Sequence, residues 1–117
     1  MNTLPRADEA VILIEKFTKY ALNPTKDEDK AYAFQRALGF NKDNVPLLIA
    51  QIKANLSKFP AVRRGDIGFG MRYEVAMEIV GANGNVALVK TGWIDDAMSG
   101  EMRLTSAYVH KFRTSGQ

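Results

Sequence analysis

Cysteine is absent from this chain of 117 residues, and histidine occurs once, at His110. The first absence removes disulfides, thiolate metal sites and thiol catalysis together. The second excludes, within one chain, a multi-histidine metal centre and a ribonuclease mechanism that passes a proton between two histidines. No apolar run approaches the ~18 residues that a membrane-spanning helix needs. Nor does the chain open with a basic segment, an apolar stretch and a small-residue cleavage site. The expectation is a cytoplasmic protein without membrane contact, cofactor or metal. Polybasic segments are missing as well: the net charge is +3, and Arg63 and Arg64 are the only adjacent pair of cations. That balance favours a polyanionic partner only mildly.

What remains is the make-up of one globular domain spanning 1–117, with 46% apolar and 25% charged residues. Periodicity divides it into a helical part over about 6–58, an antiparallel sheet over about 61–110 and a short basic tail, 111–117, expected to fray. Ala10, Leu13, Ile14, Phe17 and Ala21 recur at helical spacing and predict a first helix from Arg6 or Ala7 to Leu22, ended by Asn23 and Pro24. A second helix runs from Lys26 or Asp27 to Leu38. Its inner face is Ala31, Phe34, Ala37 and Leu38, and Gly39 serves as its left-handed cap. A third runs from Asp43 or Asn44 to Lys58, with Pro46 tolerated in its first turn and Leu48, Ile49, Ile52 and Leu56 inward. The glycine-rich segment from Ala61 to Gly70 reads as a mobile connection with a short edge strand near Ala61 to Arg63. Its glycines lack the Walker spacing and the Lys-Ser/Thr ending of a phosphate loop.

From Gly70 the period changes to two. Tyr73, Val75, Met77 and Ile79 alternate with Arg72, Glu74, Ala76 and Glu78, and an Asn-Gly turn at Asn83 and Gly84 leads into a second strand ending near Ile94. A two-residue turn would set Met77 against Lys90 and bury that lysine. A three-residue loop, Ala82 to Gly84 with Gly84 left-handed, sets Ile79 against Ala87, Met77 against Val89, Val75 against Thr91 and Tyr73 against Trp93. The second register wins, because a buried unpaired ammonium costs far more than an exposed one. Tyr73 and Trp93 then belong to the core rather than to a base-stacking platform. A last strand, Met102 to His110, places Leu104, Ser106 and Tyr108 on one face, with Leu104 and Tyr108 joining the core, and Arg103, Thr105, Ala107 and Val109 on the other. The fold class is α+β, with three N-terminal helices on one face of a three- to four-stranded antiparallel sheet.

On that register the open face collects Arg72, Glu74, Glu78, Lys90, Arg103 and Thr105. A glutamate that takes the proton of a ribose 2′-hydroxyl, and cations that stabilise the phosphorane, suffice for metal-free RNA cleavage. Ion pairs such as Glu78 with Lys90 are also ordinary decoration of a solvated sheet face. The lysines of the second helix, Lys30 among them, read first as a solvated face, and His110 as an incidental surface histidine.

Several segments together carry a resemblance: Asn23-Pro24, then Lys30, Ala31 and Phe34, Leu38-Gly39, Gly70 and Tyr73, Asn83-Gly84, Thr91-x-Trp93-Ile94, and Leu104-Thr105-Ser106-x-Tyr108. From about Val11 to Val109 the chain resembles a small bacterial domain of unknown function, found alone beside short partner genes and at the C-termini of large polymorphic secreted toxins. The resemblance implies a toxin-like domain, similar in architecture to the barnase, EndoU and RelE group of metal-independent ribonucleases, and a cognate antitoxin or immunity protein as partner. On that reading Glu74 or Glu78 is the base, Lys30, Lys90 and Arg103 meet phosphate, Arg72 helps to bind RNA, and Thr105 hydrogen-bonds the scissile group. Thr25 to Asp29 stand where the family tends to carry a glycine and often a histidine. If that histidine is catalytic elsewhere, this chain is inactive or works differently. The alternative is a non-catalytic module that binds a small protein through its sheet edge or open face.

Overall fold

The structure, a computed structural model, describes residues 2–113. Four strands, β1 (Ala61–Asp66), β2 (Gly70–Val80), β3 (Val86–Asp96) and β4 (Met102–Arg113), form one antiparallel sheet in the order β1-β2-β3-β4. Two α-helices, α1 (Glu28–Leu38) and α2 (Val45–Asn55), precede it. Local chemistry delimits α1. The Asp27 carboxylate accepts the Lys30 amide (3.1 Å), and Gly39 takes the left-handed conformation (φ 71°), so that the Phe40 amide returns to the Phe34 carbonyl (3.3 Å). Ala31, Phe34, Ala37 and Leu38 are buried on its inner face, and Leu48, Ile52 and Leu56 on that of the α2 segment. Of these, all but Ala31 close over Val75, Met77, Ile79, Val89 and Trp93 in one apolar cluster.

The hairpin pairs as the three-residue loop requires: Tyr73↔Trp93, Val75↔Thr91, Met77↔Val89 and Ile79↔Ala87, with Gly84 at φ 85°. The Gly81 amide donates to Asn85 (2.7 Å), so residues 82–84 are the loop proper. Trp93 is fully buried, and its Nε1 donates to Thr91 Oγ1 (2.8 Å), whose hydroxyl in turn donates to the Val75 carbonyl (2.9 Å). The loop itself docks on α1. The Asn83 amide and side-chain Nδ2 donate to the Leu38 and Ala37 carbonyls, both at 3.4 Å, groups that a helix end leaves unpaired. A Cβ on Gly81 would lie 2.3 Å from the Leu38 carbonyl oxygen.

Four expectations are corrected. The first helix does not run from residue 6 to 22. A 3-10 turn spans Ala7–Glu9, a short π-helix spans Lys16–Ala21, and between them Val11 makes a parallel bridge to Arg103. Its amide donates to Met102 O (2.8 Å) and its carbonyl accepts from Leu104 N (3.0 Å). The outer edge of β4 needs these partners, and a helix through Val11 would spend the same groups internally. Leu13 and Ile14 are consequently 48% and 42% exposed. The third helix ends at Asn55 rather than Lys58, with residues 56–58 in turns. β4 continues to Arg113, so the backbone of residues 111–113 is strand rather than tail; the rest of that tail, 114–117, lies outside the described residues. Finally, β4 does not alternate uniformly. The pairing passes from Gly92↔Ser106 to Trp93↔Leu104, which leaves Thr105 as the extra residue of a bulge. Leu104 and Ala107 therefore both reach the core, and Tyr108, half-buried and opposite Lys90, does not.

The segment from Ala61 to Gly70 is mostly strand, with a turn at 67–69. β1 pairs with β2 only up to Val75, so the β1 side of residues 76–80 has no strand beside it. Side chains of α2 take that place. Asn55 Nδ2 donates to the Glu78 carbonyl (2.9 Å), and the Gln51 amide group bonds both the Val80 amide (2.9 Å) and its carbonyl.

This packing can be tested by unfolding in urea. Thr91→Val keeps the volume but strands the buried Trp93 N–H, and is expected to cost about 1–3 kcal/mol. Gly81→Ala pushes a methyl into the α1 backbone and is expected to cost about 1–3 kcal/mol by the same measurement. A loss below a few tenths in either would contradict the packing described.

Candidate functional site: a cationic cleft beside the open sheet face

The bulge in β4 organises the surroundings. Because Thr105 is extra, both it and Ser106 lean over Gly92, where a Cβ would stand 2.6 Å from Ser106 Oγ and 3.1 Å from Thr105 Oγ1. Glycine is what lets the two hydroxyls occupy that space. Across β2, β3 and β4 the register defines three rows: Arg72–Ile94–Arg103, Glu74–Gly92–Ser106 and Ala76–Lys90–Tyr108.

On the outer side of the bulge lies a cleft of about 290 Å³, lined by Lys16, Tyr20 and Ala21 of the π-helix, Lys26, Asp27 and Lys30 around the start of α1, and residues 105–107 of β4. A turn at Asn23 and Pro24 joins the π-helix to the start of α1. Asn23 O accepts the amides of Lys26 (3.1 Å) and Asp27 (3.0 Å), and Asn23 Oδ1 accepts that of Thr25 (3.0 Å), folding Lys26 back toward the π-helix. Three lysines face one carboxylate here, and that carboxylate is engaged as the α1 cap, 4.0 Å from the Lys30 ammonium. The Lys16 ammonium stands 5.8 Å from the Tyr20 ring centroid, and the Lys30 ammonium 5.9 Å from that of Tyr108. Tyr108 thus joins the cleft to the sheet face, with Lys90 opposite it in register and His110 edge-on at 6.3 Å.

On the sheet face, Glu74 Oε1 lies 2.8 Å from Arg64 Nη2 and 3.7 Å from Lys90 Nζ. The Arg64 hydrogen bond, reinforced by the Lys90 charge, holds the Glu74 carboxyl below its ordinary range despite some burial. Such a carboxylate is a weak proton acceptor and a firm anchor for Lys90. Glu78 and Arg72 are exposed on the same face. Arg103 is drawn to the far end of the sheet, where its guanidinium meets Asp96 at 2.6 Å and its buried Nε has no hydrogen-bond partner. The amides of Met98 and Ser99 also point at Asp96 (2.8 and 3.3 Å). The Met98 bond foremost, with Arg103 adding to it, keeps that carboxyl below its ordinary range.

Among the candidates read from sequence, then, Lys30 and Thr105 meet in the cleft, Glu74 and Lys90 meet on the sheet face, and Arg103 stands apart as the partner of a turn aspartate. Lys16, Tyr20, Lys26 and Ser106 escaped that reading. Lys16 and Lys26 lie ten residues apart on either side of a turn, and only the short π-helix and the bulge reveal that they face β4. The signal available was the Lys16/Tyr20 spacing and the Thr-Ser pair opposite a strand glycine. Among the described residues no three carboxylate or histidine side chains gather where they could hold a metal ion, and no helix is long and apolar enough to cross a membrane.

Fold and site together define an α+β domain with a cationic cleft at the edge of a partly uncovered antiparallel sheet. Residues 3–111 match the family described as a domain of unknown function, DUF6883, and the chain belongs to that family. No curated protein and no solved structure matches it.

The two lowered carboxyls make a pH prediction. Each contributes stability that is complete above the ordinary carboxylate range, near pH ~4, and that is lost as pH falls through the lowered folded-state values. Acid unfolding of a Glu74→Gln, Asp96→Asn double variant is therefore expected to depend less steeply on pH below about 4 than that of the parent. Superimposable acid limbs in the two proteins would contradict these ion pairs.

Proposed function

We propose that this chain is a toxin-like domain that acts on RNA, cleaving it without a metal ion. The observation that carries the reading is the convergence of Lys16, Lys26 and Lys30 with the Thr105 and Ser106 hydroxyls in one cleft, with the Lys30 ammonium 5.9 Å from the Tyr108 ring centroid and Lys90 opposite Tyr108 in register. Ammonium groups and hydroxyls in a concave site are the chemistry that holds a phosphodiester and stabilises the extra charge of its phosphorane. In the reaction the ribose 2′-oxygen attacks the adjacent phosphorus and the bond to the 5′-oxygen breaks, giving a 2′,3′-cyclic phosphate and a 5′-hydroxyl. Lys30 and Lys90 carry the phosphate charge, and Thr105 and Ser106 donate hydrogen bonds to its oxygens. Glu74, anchored by Arg64, positions Lys90. Glu78 and His110 are the groups on this side suited to accept the 2′-hydroxyl proton and to protonate the leaving oxygen. Arg72 extends the basic surface along the sheet.

A second reading, a non-catalytic module for a small protein partner such as an antitoxin or immunity protein, draws on a different observation. Ile67, Phe69 and Met98 are 50%, 67% and 91% exposed on two turns at one end of the sheet, joined where the Ala97 amide donates to Phe69 O (2.8 Å).

Incubation of the purified protein with single-stranded RNA and excess chelator tests the first reading. Fragments ending in 2′,3′-cyclic phosphate are expected, with the rate falling about 100-fold or more in Lys30→Ala or Lys90→Ala. RNA left intact at stoichiometric protein rejects cleavage. Tight binding of the neighbouring gene's product, abolished in Phe69→Asp, would then favour the module.

A further inference from the structure

Tyr20 is 54% exposed although it sits between buried Phe17 and Ala21 on the same short helix, and its ring lines the cleft beside Lys16. Lysines outnumber carboxylates around it: Lys16 stands near its ring, and Lys26 and Lys30 line the same cleft, where the one carboxylate, Asp27, is engaged as the α1 cap. An aromatic face next to convergent ammonium groups is the pairing that grips a nucleotide by base and phosphate together. We infer that the cleft takes a nucleotide of a single strand, its phosphate on Lys26, Lys30 and the Thr105 and Ser106 hydroxyls, and its base stacked on the exposed part of the Tyr20 ring.

This rests on the reading that the chain acts on RNA and narrows it to unpaired RNA. In a duplex the faces of each base are already stacked on its neighbours, and the deep, narrow major groove withholds the bases from side chains. Only an unpaired base can turn its face onto Tyr20. The cationic groups also converge into one recess rather than running along a ridge, which suits a flexible backbone that can turn a phosphate inward. The Lys30 ammonium near the Tyr108 ring, with Lys90 opposite Tyr108 in β3, continues the cationic and aromatic surface from the cleft onto the sheet face, where the next nucleotide would lie.

The test is fluorescence anisotropy with a labelled, cleavage-resistant 2′-O-methyl RNA 12-mer, single-stranded and annealed to its complement, at two salt concentrations. The parent is expected to bind the single strand at least about tenfold more tightly than the duplex. Tyr20→Ala should lose about tenfold in single-strand affinity, and Tyr20→Phe or Tyr20→Trp should keep it. Lys26→Ala with Lys30→Ala should weaken binding and flatten the salt dependence by about 0.7 in log–log slope, the value for one phosphate no longer neutralised on a single strand. Equal affinity for single strand and duplex overturns the inference while leaving the RNA reading in place. So does a Tyr20→Ala variant that binds like the parent while the lysine pair variant does not. Failure of the parent to bind either form removes both. Tyr20 is exposed, so its variants are expected to fold, and their urea unfolding midpoints should stay with the parent's.

Discussion

The left-handed Gly84 in the loop between β2 and β3 is the constraint on which the rest of the molecule depends. A three-residue loop with its last residue at positive φ sets one register, and in a sheet buried on one face a slip of one residue would exchange the faces of every side chain. With this register Trp93, Thr91, Met77 and Val89 face the helices and Lys90 faces outward toward Glu74. The same loop caps α1 through Asn83 and lays Gly81 against Leu38 without space for a methyl. One turn thus joins strand pairing to helix docking, and the buried hydrogen-bond chain from Trp93 through Thr91 to Val75 exists only in that arrangement.

A second theme is the treatment of sheet edges. An open edge is a row of unpaired donors and acceptors that must be covered or blunted. On β2, past the end of β1, Gln51 and Asn55 of α2 act as a side-chain substitute for a strand. On β4 the segment around Val11 supplies main-chain partners at Met102 and Leu104. Beyond that bridge the bulge at Thr105 bends β4, and the π-helix and the start of α1 stand off from it, leaving the cationic cleft between them. Edge protection and the candidate site are consequences of one geometry.

Much of this was legible in the order of residues alone. The span and inner face of α1 followed from Asp27, Gly39 and the spacing of Ala31, Phe34, Ala37 and Leu38. The hairpin register followed from the cost of burying Lys90. Both are local or pairwise questions, settled by capping chemistry, a turn conformation and one desolvation penalty. The N-terminal helix failed because its apolar periodicity was genuine over Phe17 and Ala21, while the fate of Val11 was decided 92 positions away, by the backbone of β4. The β4 bulge was invisible for a similar reason. Nothing in Leu-Thr-Ser-Ala-Tyr says that Thr105 stands unpaired, and a glycine in the neighbouring strand hints at it only once the two are known to be adjacent.

The sequence by itself determined the α+β class, the two principal helices, the hairpin register and the exclusion of cysteine and multi-histidine chemistry, because each depends on residue type and short-range spacing. Tertiary structure alone decided that Lys16, Tyr20, Lys26 and Lys30 would face Thr105 and Ser106, that Glu74 would be held ionised by Arg64, and that Arg103 would serve Asp96 instead of the sheet face. Those outcomes depend on where an unpaired sheet edge finds its partners. That is a property of the folded whole, since backbone groups left open by one element must be satisfied by whichever other element packing brings within reach.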